Sequence, residues 1–162
     1  RPLVSPSFDD RVVHAERTEL PWPVRMSEAA WRARLTPGAY RILRGQATER
    51  AFCHPLHHSK ERGTYYSAAT GQPLFHSDDK FDSGTGWPSF RRPVAPDAVV
   101  YRSDRSLLMR RIEVVDSLSG SHLGHVFPDG PPPSGQRYCI NGEALIFVPE
   151  GEPPPPLLLP AP

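Results

Sequence analysis

The sequence contains very little cysteine: Cys53 and Cys139 are the two cysteines among 162 residues. A structural zinc site built only from cysteine needs four thiolates, so one copy of this chain cannot form one. At most one disulfide can form within the chain. Two buried apolar thiols or one structural disulfide are the simplest interpretations of these counts.

Long apolar runs are also missing, since no stretch approaches the roughly 18–20 residues that a membrane helix needs. The chain also has no marked excess of charge of either sign, because 19 basic and 18 acidic residues nearly cancel. This balance argues against nucleic acid or an anionic membrane as the main partner. We expect a single-domain monomer. The chain begins at Arg1 rather than Met, and we expect a cytoplasmic or a periplasmic protein.

Proline, in contrast, is abundant, with 21 residues, many of them near the two ends. We expect a poorly ordered lead-in over residues 1–25, one domain over residues 26–150 and a proline-rich tail over residues 151–162. Within the lead-in, Phe8 and Trp22 could anchor on a core.

The domain is predicted to begin with two short helices and to continue as strands. Ser27 and Thr36 can cap the two helices, with Pro37 at the first position of the second helix. Short apolar runs between turn residues then predict seven strands. These are Thr64–Ala68, Pro73–Phe75, Ala98–Arg102, Met109–Val115, Leu123–Phe127, Gln136–Ile140 and Ala144–Val148. Asn141-Gly142 predicts a type I′ hairpin between the last two strands, because both turn positions need a positive φ.

Cys139 lies between two polar residues at strand spacing. Because alternate residues of a strand face the same side, Arg137, Cys139 and Asn141 could point together. A guanidinium near the sulfur would favour the thiolate, which is the reactive form. The alternative is a buried strand cysteine beside a solvent-facing arginine.

His122 and His125 allow more than one kind of chemistry. On a regular strand a spacing of three directs the two side chains to opposite faces, whereas on a turn they can converge. Two histidines with Asp129 or Cys139 could bind Zn or Fe. Alternatively, the imidazoles could carry a proton near pH 7. The alternative without a functional role is that one histidine lies on the surface and the other in the core.

Trp87 stands in a glycine- and proline-rich stretch that reads K-F-D-S-G-T-G-W-P-S-F. A residue before proline is restricted towards extended conformations, so Trp87 before Pro88 can be held rigidly. An exposed, rigid indole would form a wall for a methyl or thioether group. The alternative is a tryptophan of the core.

Three segments in this order resemble the methionine sulfoxide reductase B (MsrB) family: K-F-D-S-G-T-G-W-P-S-F, H-L-G-H-V-F-P-D-G-P and R-Y-C-I-N. The similarity extends from Thr48 to Phe147. It implies a mainly β protein of the Mss4-like class, with two antiparallel sheets and short N-terminal helices.

The resemblance also implies a reaction, the reduction of methionine R-sulfoxide, free or peptide-bound, to methionine. Cys139 would attack the sulfoxide and be left as a sulfenic acid. His122 and His125 would hold and protonate the sulfoxide oxygen, with His125 as the acid.

Five further residues would bind substrate or organise the pocket by the same resemblance. Trp87 would hold the S-methyl group, and Phe127 would also contact substrate. Asn141, Arg137 and Asp129 would order the site and favour the thiolate.

Recycling the sulfenic acid would need a second thiol. Many family members carry it where this chain has Thr85, which cannot serve. The resemblance therefore implies Cys53 as the resolving residue: a Cys53–Cys139 disulfide would form, and thioredoxin would reduce it. The alternative is a bystander Cys53, with direct reduction of the sulfenic acid by an external thiol.

Many members of the family bind a structural zinc through two C-x-x-C pairs. The aligned positions here are Ser67, Thr70, Asp116 and Ser119, a poor set of ligands for a soft metal. We therefore expect a zinc-less member without a cofactor, in which ordinary turn packing at Thr70-Gly71 and Ser119-Gly120 replaces the clamp.

Two other functions stay open at this point. A metal-dependent enzyme of a β fold would use His122, His125 and Asp129 as ligands. A non-catalytic module would bind oxidised methionine without reducing it.

Overall fold

The computed structural model describes residues 22–159, which form two antiparallel sheets and two short helices. The helices are α1 (Glu28–Arg34) and α2 (Pro37–Leu43). The strands are β1 (Gly63–Ser67), β2 (Pro73–His76), β3 (Lys80–Phe81), β4 (Ser89–Phe90), β5 (Val99–Asp104), β6 (Arg111–Asp116), β7 (His122–Phe127), β8 (Arg137–Ile140) and β9 (Leu145–Pro149). The smaller sheet has the order β2-β1-β9 and the larger sheet the order β3-β4-β8-β7-β6-β5. The mainly β architecture is confirmed. Among residues 22–159, no helix is both long enough and apolar enough to cross a membrane.

The core lies between the two sheets and is built around aromatic rings. Phe75 of β2 stacks on Phe90 of β4, with ring centres 4.5 Å apart. Tyr65 of β1 meets Phe90 edge-on at 5.0 Å, and Phe75 also contacts Tyr138 of β8 at 5.9 Å. All four rings are almost completely buried. These offset and edge contacts are the geometries that aromatic pairs prefer, and they fix the smaller sheet against the strand that carries Cys139.

The two helices begin at the predicted caps. The Ser27 hydroxyl accepts a hydrogen bond from the Ala30 N–H (3.1 Å), and the Thr36 hydroxyl accepts one from the Ala39 N–H (3.2 Å). Both bonds satisfy backbone donors that have no partner within the helix. The helices pack on the sheets through buried side chains, among them Trp31.

All seven predicted strands are present, with ends that differ by a few residues. Two strands were missed, β3 and β4, because each is only two residues long and neither shows a periodic pattern. Strand β4 is important for the position of Cys139, because Ser89 of β4 pairs with Cys139 of β8.

The predicted hairpin at Asn141-Gly142 is wrong. Asn141 has φ −71°, and Gly142–Ala144 form a short 3-10 turn that carries the chain from the larger sheet to β9 in the smaller sheet. The glycine is needed for space, because a Cβ on Gly142 would collide with the ring of His54. A glycine after asparagine thus marks a close approach here rather than a turn with positive φ.

The ends of the described chain lie on the domain. Val24 is buried and donates its N–H to the Leu118 carbonyl (2.8 Å), so residues close to the predicted boundary at 25 are part of the packing. At the other end, the Leu158 N–H donates to the Thr70 carbonyl (2.8 Å). Residues 1–21, which include Phe8 and most of the predicted lead-in, and residues 160–162 lie outside the described residues.

Two tight turns occupy the positions that were compared with a zinc clamp. In one, the Gly71 N–H donates to the Ser67 carbonyl, and in the other the Gly120 N–H donates to the Asp116 carbonyl, both at 2.8 Å. Both glycines have positive φ, 81° and 69°. The predicted turns are therefore present, and the two have the same hydrogen-bonding pattern.

A buried carboxylate joins these turns, which goes beyond the ordinary turn packing that we expected. Asp116 is fully buried and accepts from the Ser67 hydroxyl (2.5 Å), the Thr70 hydroxyl (2.7 Å) and the Leu118 N–H (2.8 Å). The Gln72 side-chain amide donates to it as well. A buried carboxylate is stable only when such donors satisfy it, so these contacts form one interdependent cluster. We call these residues the Asp116 cluster.

Candidate active site

Cys139 lines a pocket of about 250 Å³ on the larger sheet. Six of the predicted site residues line this pocket: Trp87, His125, Phe127, Arg137, Cys139 and Asn141. A larger cavity of about 920 Å³ lies elsewhere, beside Arg92 and Tyr138, so size alone does not identify the reactive pocket.

Strand alternation brings Arg137, Cys139 and Asn141 to the same pocket, as predicted. Cys139 lies opposite His125 in the pairing of β8 with β7. Side chains of directly opposed residues have Cβ atoms about 4.5–5.5 Å apart. The sulfur and the imidazole are therefore neighbours because of strand register, not because of a flexible loop.

The Cys139 thiol is half-buried, and this decides its protonation. Burial raises the pKa of Cys139 above its ordinary value, and the nearby Glu49 carboxylate also raises it. Arg137 and Thr85 lower the pKa, but by less than burial and Glu49 together raise it. The Arg137 cation therefore opposes the effect of burial, but the pKa stays above its ordinary value and the resting thiol keeps its proton at neutral pH.

A β-bulge brings the two histidines to one side of β7. Val114 of β6 pairs with Gly124, whereas the next residue, Val115, pairs with His122, so Leu123 is an extra residue in β7. A bulge reverses the alternation of side chains beyond it. The rings of His122 and His125 consequently approach edge-on, with centres 5.4 Å apart.

Each histidine contacts a carboxylate. His125 Nε2 lies 2.7 Å from Asp104 Oδ2, and His122 Nδ1 lies 2.7 Å from Glu113 Oε2. His125 lines the reactive pocket, whereas His122 lies in the wall of an adjoining polar cavity of about 380 Å³ that includes Glu113. Burial lowers the pKa of His125, and the hydrogen bond with Asp104 only partly opposes this shift, so the imidazole is neutral at neutral pH.

Asp129 acts on the pocket through Arg137. The Arg137 guanidinium donates to both Asp129 carboxylate oxygens, at 2.9 and 3.3 Å. The same guanidinium stacks on the Phe127 ring, 4.4 Å from its centre. A guanidinium with one paired edge and one stacked face is held in a single orientation, so Asp129 and Phe127 fix the cation beside Cys139.

Asn141 and Glu49 together hold the tryptophan side of the pocket. The Asn141 amide accepts from the Glu49 N–H and donates to the Leu123 carbonyl, both at 2.9 Å. The Glu49 carbonyl in turn accepts from the Trp87 indole N–H at 3.0 Å. Trp87 is partly exposed and lines the pocket, which matches the predicted rigid indole rather than a core tryptophan.

Cys53 is an exposed free thiol in a turn next to this pocket. The N–H of the preceding residue, Phe52, donates to the Gly86 carbonyl (2.8 Å). Thr85, which precedes Gly86, lines the same pocket as Cys139, and its side chain helps to lower the pKa of the thiol. The turn that carries Cys53 is thus tied to a loop that touches Cys139.

The alternative of a metal-dependent enzyme required His122, His125 and Asp129 as ligands, and the structure does not bring these three side chains together. Asp129 is paired with Arg137, and the two histidines contact Asp104 and Glu113 instead. Within residues 22–159, no group of three or more His, Cys, Asp or Glu side chains is arranged to hold a metal ion.

Comparison with known proteins gives the family. The SelR domain matches residues 35–149 of the chain. The chain is 54% identical to the peptide methionine sulfoxide reductase MsrB of Methanosarcina mazei over 127 residues. The aligned residues make up 78% of this chain and 91% of that protein. The chain belongs to the MsrB family. MsrB of Methanosarcina barkeri is 54% identical over 129 residues (80% of the chain, 91% of that protein), and MsrB of Agrobacterium fabrum is 53% identical over 126 residues (78% and 93%).

Membership of the MsrB family confirms the resemblance drawn from the three segments. The matched domain contains both cysteines and every predicted site residue, from Cys53 to Asn141. It also contains the Asp116 cluster.

Several residues that line the pocket or contact its residues were not predicted as site residues. Thr48, Thr85 and Arg111 line it, and Asp104 contacts His125. Single threonines and arginines carry no pattern that marks them. Asp104 stands at the end of a strand, and only the tertiary register shows which side chain it meets.

Proposed function

We infer that this chain reduces methionine sulfoxide to methionine, as an oxidoreductase of the MsrB type. The observation that carries this inference is the pocket in which Cys139 faces His125 across a strand pair, with the Trp87 indole at its side. A nucleophile, a proton carrier and an apolar wall are the groups that a thiol-dependent sulfoxide reduction needs.

Substrate binding depends on the apolar side of the pocket. The Trp87 indole is fixed by its bond to Glu49 and is partly exposed, which suits contact with the S-methyl group of the substrate. Phe127, covered on one face by Arg137, supplies a second apolar surface. The sulfoxide sulfur carries a methyl group, an oxygen and the rest of the side chain, so contact of the methyl group with Trp87 and of the oxygen with His125 together selects one configuration. We propose that this configuration is R.

The reductive step transfers the substrate oxygen to Cys139. The thiol sulfur attacks the sulfoxide, the substrate S–O bond breaks, and an S–O bond forms at Cys139. The thiol proton ends on that oxygen, so the products are a thioether and a cysteine sulfenic acid. The methionine sulfur gains two electrons and Cys139 loses two, which balances the step without a metal or an organic cofactor.

Recycling then uses Cys53. Cys53 attacks the sulfenic acid as a thiolate, and a Cys53–Cys139 disulfide forms as the sulfenic S–O bond breaks. The departing hydroxide takes up the proton that the Cys53 thiol gave up and leaves as water. The exposure of Cys53 supports this role, because an external dithiol such as thioredoxin must reach the disulfide. The connection from Phe52 to Gly86 supports it as well, because it keeps the turn beside Thr85 and Cys139.

The test is the reduction of separated R and S sulfoxides of a blocked methionine with dithiothreitol as reductant. We expect methionine from the R isomer with the wild type and none with Cys139→Ser, while Cys53→Ser retains dithiothreitol-dependent activity. Turnover of neither isomer by folded wild-type protein would overturn the proposed activity. Unchanged turnover by Cys139→Ser would overturn the assignment of the nucleophile.

A further inference from the structure

The carboxylate that touches His125 comes from β5, two strands away from β7 in the larger sheet. Asp104 is the last residue of β5 and lies opposite Arg111 at the start of β6. From there its side chain reaches His125, with Oδ2 2.7 Å from Nε2. Both groups are shielded from solvent, since the side chains are 21% and 10% exposed.

Contacts other than the one with His125 also fix the Asp104 carboxylate. The Ser106 N–H donates to Oδ1 at 2.9 Å, and the Arg111 guanidinium lies 3.3 Å from Oδ2. A carboxylate with a fixed partner at each oxygen has one available orientation. Its contact with His125 therefore fixes the plane of the imidazole ring.

The charge of Asp104 determines which nitrogen of His125 carries the proton. Burial would raise the pKa of Asp104, but hydrogen bonds from His125 and Ser106 lower it well below its usual range. An ionised carboxylate can only accept hydrogen bonds, so His125 Nε2 must carry a hydrogen. In the neutral imidazole, Nδ1 then has the lone pair that can take up a proton.

The thiol proton is the one to be moved. Cys139 lies directly opposite His125, and its half-buried thiol is protonated at rest. The reaction requires this proton to leave sulfur as the sulfur attacks and to arrive on the substrate oxygen. His125 Nδ1 takes it up, and the imidazolium that forms is stabilised by the Asp104 carboxylate until the proton passes on.

We propose that Asp104 is the positioning residue for His125, so that Cys139, His125 and Asp104 act as nucleophile, proton carrier and orienting carboxylate. This rests on the proposed reductase function. Asp129, the aspartate implied by the resemblance, is 65% exposed and pairs with Arg137. The two aspartates therefore have different tasks: Asp129 fixes the guanidinium, and Asp104 fixes the imidazole.

Asp104→Asn tests the proposal because it keeps size and removes charge. The amide can donate to a bare Nε2 as well as accept from a protonated one, so the tautomer is no longer fixed. A positioned proton carrier contributes about 10²–10⁴-fold to a rate, and we expect Asp104→Asn to lower the single-turnover rate of methionine formation by about 10- to 100-fold. The substrate concentration for half-saturation stays nearly constant, and the pH profile of the rate changes shape. Asp79→Asn, which removes the charge of an ion pair with Arg92 outside the reactive pocket, is the matched control with a wild-type profile.

A double-mutant cycle with His125→Ala separates positioning from structural support. If Asp104 acts through His125, adding Asp104→Asn to His125→Ala lowers the rate little further. Additive losses, or a wild-type rate and pH profile in folded Asp104→Asn, would overturn the proposal. The ring ¹⁵N shifts of His125 in the wild type give an answer even where a variant fails to fold: an Nε2-protonated tautomer at neutral pH supports the proposal and an Nδ1-protonated one refutes it. A wild type that reduces neither isomer of the sulfoxide would instead refute the reductase function itself.

Discussion

The backbone N–H of Phe52 donates to the carbonyl oxygen of Gly86 across 2.8 Å, and the Phe52 ring lies over that glycine. Phe52 adopts φ 63°, and a Cβ on Gly86 would lie 2.6 Å from its ring. A positive φ at a bulky residue is rare and is maintained only by its surroundings. This contact sets where Cys53 stands relative to the loop that touches Cys139.

Cys53→Ser separates the two halves of the proposed reaction. We expect the variant to form one methionine per chain in a single turnover, because Cys139 and the pocket are intact. Steady-state turnover with thioredoxin should fall by about 100-fold or more, because the disulfide that thioredoxin reduces cannot form. Mass spectrometry of the wild type after one turnover should show the loss of two hydrogens, and the variant should show a sulfenic acid. Normal cycling of the variant with thioredoxin would contradict the resolving role.

The pH dependence of Cys139 alkylation follows from its burial. Burial raises the pKa of the thiol, so the fraction of reactive thiolate increases only as the pH passes above the ordinary value for cysteine. In the Cys53→Ser background, we expect the rate of reaction with iodoacetamide to have its midpoint above that of a free thiol. Arg137→Met should move the midpoint higher, because it removes the cation that favours the thiolate. A midpoint below that of a free thiol would show that Arg137 outweighs burial.

Trp87→Ala should weaken substrate capture more than the chemical step. Burying a methyl-bearing group against an aromatic face is worth about 1–3 kcal/mol, so we expect kcat/KM to fall by about 10- to 100-fold, mainly through KM. Steady-state kinetics with the R-sulfoxide measure this change. Trp87→Phe is the matched control and should lose less, since it keeps an aromatic face. Unchanged kinetics for Trp87→Ala would assign the indole to structure alone.

Asp116→Ala should destabilise the fold without touching the pocket. The substitution leaves the buried donors of Ser67, Thr70 and Gln72 without their acceptor, and each such loss costs about 1–3 kcal/mol. We expect the free energy of unfolding in urea to fall by about 3–4 kcal/mol.

Glu150→Ala is the control for this experiment, because the Arg62–Glu150 pair is exposed and such pairs contribute about 0–1 kcal/mol. The wild-type urea midpoint should be the same with and without a chelator. Equal effects of the two substitutions would mean that the Asp116 cluster contributes no more than a surface pair.

Local pattern was enough to predict much of the fold and part of the pocket. Ser27 and Thr36 cap helices because their side chains reach backbone donors three residues on, which depends on nothing distant. The alternation of Arg137, Cys139 and Asn141 likewise needs only a strand.

The features that could not be predicted depend on contacts between distant segments. The bulge at Leu123 turns the His122 side chain to the other face of the sheet, and no residue type in the sequence indicates this bulge. At Asn141 the side chain is engaged by Glu49 and the space beside Gly142 is filled by His54, which turns an apparent hairpin into a crossing between sheets. The contact of Asp104 with His125 depends on the register of two strand pairs, β5 with β6 and β6 with β7.

The chemical composition of the Asp116 cluster matters because a sulfoxide reductase works where oxidants are present. A zinc clamp of thiolates is itself open to attack by the oxidants that produce methionine sulfoxide, and it would release its metal when oxidised. The cluster here is made of carboxylate, hydroxyl and amide oxygens and nitrogens, which those oxidants leave unchanged. Under the proposed mechanism, oxidation of Cys139 by peroxide would give the same sulfenic acid that the reaction with substrate gives, whereas the Asp116 cluster would keep its composition.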